Sequence, residues 1–98
     1  MEAQFSPEAE RLLDELEKDH SNDRLVDAIW DAIDLITEHP ESAPARRRAL
    51  RTPEGHSVWL VPVAVRHNDD LWVILWQPRG DEALIVYIGP EDFRSDFR

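Results

Sequence analysis

The spacing of apolar residues changes at Pro40. Before it, Leu12, Leu13 and Leu16, then Leu25, Ile29, Ile33 and Ile36, recur at steps of three and four, the period of helices with one buried face. After it, residues 58–65, 71–76 and 84–88 form short, dense apolar runs bounded by turn residues, the signature of strands. The pattern predicts helices over 7–19 and 23–38 and strands over 45–51, 57–65, 71–76 and 83–88, with a short edge strand at 2–5. The architecture that follows is α+β: an N-terminal helical hairpin packed on one face of an antiparallel sheet of about four strands.

Local signals sharpen the element ends. Ser6 followed by Pro7 reads as an N-cap with proline at the first helical position, and Glu8 and Glu10 suit the positive end of the helix dipole. Ser21 or Asn22 is expected to cap the second helix, and His39-Pro40 to end it, because the residue before proline avoids the α region. Ala9, Leu12, Leu13 and Leu16 of the first helix point inward, as do Leu25, Val26, Ile29, Trp30, Ile33 and Ile36 of the second, while Asp27, Asp31 and Asp34 point to water. Thr52-Pro53-Glu54-Gly55 has proline and glycine where a turn needs them. Pro62 cannot donate to a ladder, so its strand needs an edge position or a bulge there.

The strand 71–76 is apolar on both faces and belongs at the centre of the sheet. Trp72, Ile74 and Trp76 share one face, while Leu71, Val73 and Leu75 share the other and suit the floor beneath the helices. On that assignment the tryptophan face, with Trp59, needs a cover: Phe93 and Phe97 of the tail, a second copy forming a homodimer, or a partner's peptide. Tryptophan and arginine are the residue types that most often dominate interface energy, which makes this a partner-binding face. Period two does not say which face is which, and the tryptophans under the helices is the alternative assignment.

Charge changes the picture more than composition does. The net charge is −10, yet residues 1–44 hold 13 acids and 3 bases, whereas residues 45–98 hold 8 of each. Arg46, Arg47, Arg48 and Arg51 lie together with no acid between them. Such a patch suits one phosphate-rich site or one acidic partner segment, or it serves as a charged edge that discourages aggregation. The overall acidity makes the chain a poor general nucleic-acid binder. There is no cysteine, so disulfides and cysteine-bound metals are excluded. His20, His39, His56 and His67 show no metal-ligand spacing, and no cofactor is indicated. The start of the chain has neither a basic stretch nor an apolar core, which points to the cytoplasm. Its longest apolar run, 58–65, falls far short of the roughly 20 residues that span a bilayer, so no membrane role is expected.

The opening Phe5-Ser6-Pro7-Glu8-Ala9-Glu10 with Leu13, and the strands 59–65, 71–76 and 83–88 closing in Ile88-Gly89-Pro90, resemble the RelE/ParE family of toxins from type II toxin–antitoxin pairs, over about residues 3–94. The resemblance implies a single RelE/ParE-like domain over 1–98, a small antitoxin that wraps it, and a sheet face that either cleaves mRNA on the ribosome or acts on gyrase. Metal-free RNA cleavage needs one group to take the 2′-hydroxyl proton, another to protonate the leaving oxygen, and cations for the phosphorane. By resemblance Arg48, Arg51, Tyr87 and Arg94 would carry that chemistry, with Arg46, Arg47 and Arg66 binding RNA. Period two puts Arg46 and Arg48 on one face and Arg47 on the other. The chain departs from the family where arginines often alternate along a strand, since it has Trp59, Val61 and Val63. It departs again after the final Ile-Gly, where Pro90 and Glu91 replace a frequent histidine and arginine. A non-catalytic protein-binding module is therefore the alternative function. On that reading Tyr87 is a half-buried strand aromatic.

Overall fold

A computed structural model describes residues 1–91. In chain order these form strand β1 (Glu2–Phe5), helix α1 (Pro7–Glu17), helix α2 (Asp23–Glu38), and strands β2 (Arg48–Arg51), β3 (Ser57–His67), β4 (Asp70–Arg79) and β5 (Glu82–Pro90). Short 3₁₀ turns lie at His20–Asn22 and Pro44–Arg46. The α+β reading with two helices holds. The sheet, however, has five strands and is mixed, in the order β1-β5-β4-β3-β2. Strands β2 to β5 are the expected antiparallel meander, and β1 adds to β5 in parallel, with Glu2 opposite Glu82 and Phe5 opposite Ile85. No helix among the described residues is long and apolar enough to cross a membrane.

Ser6 joins the first helix to the last strand. Its Oγ accepts from the Ala9 N–H at 3.2 Å as the N-cap, its backbone N–H donates to the Ile85 carbonyl, and its hydroxyl donates to the Val86 carbonyl. The second cap differs from expectation. Neither Ser21 nor Asn22 caps α2 through its side chain; Asn22 Nδ2 instead donates back to the Leu16 carbonyl near the end of α1, and Asp19 Oδ1 accepts from the Ser21 N–H. The hydrogen bonds from Ser21, its backbone N–H first and its hydroxyl second, hold the exposed Asp19 carboxyl below the usual aspartate range.

The faces of the sheet are the reverse of the first assignment. Trp72, Ile74 and Trp76 lie beneath the helices with Val61, Val63, Ala83, Ile85 and Ile88, and Trp59 packs at the margin of this layer. Trp76 is wholly buried and Trp72 nearly so. The reason is volume. The helices turn Ala9, Ala28 and Ala32 towards the sheet, and those small side chains leave a gap that indoles fill to interior density. Trp76 also finds an acceptor there, its Nε1 donating to the Ala45 carbonyl at 2.7 Å. Trp72 Nε1 has no acceptor, and its ring meets His67 edge-on at 5.6 Å. Trp30, expected inward, is 38% exposed and rests edge-on against Phe5.

Two irregularities set which residues reach the helix-free face. In β5, Leu75 pairs with Tyr87 and Trp76 with Ile85, so Val86 is an extra residue. This bulge lets Ile85 and Ile88 both face the helices while Val86 and Tyr87 pack on the opposite side. In β3 the register shifts between Pro62 and Arg66, and β2 ends opposite Leu60. Pro62 therefore sits beside a bulge and beyond the end of the neighbouring strand, as its missing donor requires. Asn68 and Asp69, with φ of 52° and 66°, make the two-residue turn between β3 and β4.

Candidate functional site

The helix-free face of the sheet is the surface on which the charged and apolar candidates meet. Val58, Leu60, Val73 and Leu75 form its buried centre, with Leu50, Val86 and Tyr87 around them. Cross-strand pairing puts Arg48, Leu60, Leu75 and Tyr87 in one transverse row. Arg48 and Tyr87 thus share a face, three strand spacings or roughly 14 Å apart.

Each end of that row is held. The Tyr87 ring lies back along its own strand over Gly89, where a Cβ would stand 2.7 Å from the hydroxyl, and its Oη donates to the Pro90 carbonyl at 2.6 Å. Glycine at position 89 is what admits the ring. At the other end, Arg48 Nη1 is 3.8 Å from Glu91 Oε1, and Glu91 is itself fixed by its N–H to the Leu71 carbonyl. Beside Arg48 is a shallow depression of about 360 Å³ lined by Arg47, Arg48, Leu60, Pro62, Leu71, Val73 and Glu91.

The remaining sequence candidates are dispersed. Pro44 starts a 3₁₀ turn that takes Arg46 out of the strand period. Arg46 therefore does not share a face with Arg48. Its Nε donates to the Pro40 carbonyl, and its guanidinium lies 5.2 and 5.8 Å from the Trp59 and Trp76 rings on the helix side. Arg51 is opposite Ser57, on the other face from Arg48, and donates to the Gly55 carbonyl in the hairpin turn. Arg66 donates to the Asp69 carbonyl at the far end of β3. Trp72 and Trp76 are buried beneath the chain's own helices and so do not form a partner-binding surface, while Trp59 is partly buried at the margin of that layer. Arg94, Phe93 and Phe97 lie outside the described residues. His56 and His67 stand at opposite ends of β3, and among the described residues no group of three His, Asp or Glu converges to hold a metal ion.

Sequence reasoning missed Glu91, Leu60, Pro62 and Leu71 as members of one site. The available signals were Pro62 inside a strand, and the Tyr-x-Gly spacing of Tyr87 and Gly89, which lets an aromatic ring lie over a glycine on the same face. Compared with known protein families, curated proteins and solved structures, the chain has no match.

Proposed function

We propose that this chain is a RelE/ParE-like toxin of a type II toxin–antitoxin pair, working in the cytoplasm and neutralised by a small antitoxin, and that it acts by binding a protein rather than by cutting RNA. The observation that carries the choice is how the ionisable groups are engaged. Tyr87 Oη donates to the Pro90 carbonyl, Arg48 faces Glu91, Arg51 lies on the opposite face, and Arg46 is stacked against tryptophans. General acid–base cleavage needs such groups converging on one phosphate within hydrogen-bond reach. The helix-free face offers instead an apolar floor with arginines at its rim, the composition of a protein contact.

A second reading, ribosome-dependent mRNA cleavage, is favoured by one observation: Arg48 and Tyr87 stand in the same cross-strand row on the same face. The two readings separate on induction of the chain in a bacterium without antitoxin, with protein and DNA synthesis pulse-labelled together. Protein synthesis falling first, with transcripts cut, supports the nuclease; Arg48→Ala with Tyr87→Phe then abolishes cleavage. DNA synthesis falling first supports a gyrase-directed binder. Growth unaffected by soluble, folded protein refutes the toxin assignment in that host.

A further inference from the structure

We propose that the depression beside Arg47 and Arg48 is a docking site for an acidic segment of a partner protein that carries an apolar side chain, and that Glu91 is an internal carboxylate which the partner's acid displaces from Arg48. The inference rests on the protein-binding reading and names the chemistry of the partner. The floor is apolar, with Pro62 and Leu71 partly exposed over the buried Leu60 and Val73, and the depression measures about 360 Å³. The rim carries two guanidinium groups. Among the described residues Arg47 forms no ion pair, and the contact of Arg48 with Glu91, at 3.8 Å between side chains 54% and 39% exposed, is too long for a hydrogen bond and weakly held.

The charge layout makes the site directional. Residues 1–44, the helical layer, hold 13 acids against 3 bases and repel an acidic segment. The arginine cluster at 46–51 is the one concentrated cationic stretch in a chain of net charge −10. Opposite charge at this corner and like charge over the helices steer such a segment here and reject it elsewhere. RNA is the poorer fit. Arg46 and Arg51 turn away from this face, and Tyr87, the aromatic that could stack on a base, lies folded over Gly89.

The test is fluorescence anisotropy of the full chain with three labelled probes: a peptide alternating glutamate and leucine, the same peptide with lysine for glutamate, and an oligouridylate. The glutamate–leucine peptide is expected to bind, with at least about tenfold weakening in Arg48→Glu, where like charges meet. Arg47→Glu, at an exposed position, is expected to weaken it several-fold. Glu91→Gln is expected to tighten binding a few-fold by removing the competitor. The lysine peptide is drawn instead to the acidic helical layer, so its binding is expected not to weaken in Arg48→Glu. Preferential binding of oligouridylate, or peptide binding indifferent to both arginine variants, overturns the proposal. Growth arrest is scored separately. Peptide binding without arrest sinks the toxin reading and leaves the docking site standing; arrest without peptide binding does the reverse.

Discussion

Trp76→Phe removes an indole that is wholly buried between the sheet and the helices, together with the bond its Nε1 donates to the Ala45 carbonyl at 2.7 Å. A buried carbonyl left without its donor costs about 1–3 kcal/mol. The smaller ring leaves a void that adds about 1 kcal/mol, since the surroundings relax only partly. Arg46 keeps an aromatic ring there but a weaker one than indole, a further loss below about 0.5 kcal/mol. These contributions share neighbours and do not add fully, so the expected loss is about 3 kcal/mol. For a domain of this size that lowers Tm by roughly 10–20 °C. Urea unfolding followed by far-ultraviolet circular dichroism reads it as a lower midpoint at unchanged slope. Trp30→Phe, at a site 38% exposed, is the control and is expected to cost less than about 1 kcal/mol. A loss below about 1 kcal/mol for Trp76→Phe would show that the indole face is not sealed beneath the helices, and the face assignment would fall with it.

Gly89→Ala puts a Cβ 2.7 Å from Tyr87 Oη and 2.9 Å from Cζ, so the ring must leave its seat; a loss of about 1–3 kcal/mol is expected. In a double-mutant cycle with Tyr87→Phe the two losses should not add, and strict additivity would refute the link. Asp69→Gly removes a side chain from a turn position with φ of 66° and should raise the unfolding free energy by about 0.5–1 kcal/mol, read as a higher urea midpoint; a lower midpoint counts against the turn geometry. The folded-state carboxyl of Asp19 is held low, so its contribution is present above the unfolded aspartate value and is lost as pH falls through the folded one. Asp19→Asn should flatten the stability profile in that acidic window and nowhere else, which urea titrations across the window would detect.

Helix and strand positions were legible because the periods of burial differ, and α2 begins and ends where the spacing of its leucines and isoleucines predicts. The sheet faces were not, because alternation is symmetric: Trp72 and Val73 are equally good core residues until something breaks the tie. Ala28 and Ala32 break it, since small residues on a helix face call for large ones opposite, but that inference needs the helix already docked. The arginine cluster misled for a local reason. Pro44 starts a 3₁₀ turn that shifts Arg46 out of the alternation, sending it to the tryptophans while Arg48 goes to the other face. Alternation fails again at Val86, where one extra residue resets the period and turns Tyr87 to the side of Leu75. Arg48, Leu60 and Tyr87 come from three strands and fall in one row through pairing registers that no single segment encodes.

The parallel pairing of β1 with β5 has a consequence for how the protein is made. β1 finds its partner in β5, and Ser6 closes on Val86 across 80 residues of sequence. A nascent chain can form its helical hairpin early, from local contacts. Its Ala3 and Phe5 nonetheless have no ladder to join until residues 82–85 have left the ribosome. Loops of that length close slowly compared with a hairpin, so folding should be governed by this final stitch. Translation that halts before β5 would release a species with its acidic helices formed and β1 without its ladder. The parallel pairing thus makes closure of the sheet's β1 edge wait on β5.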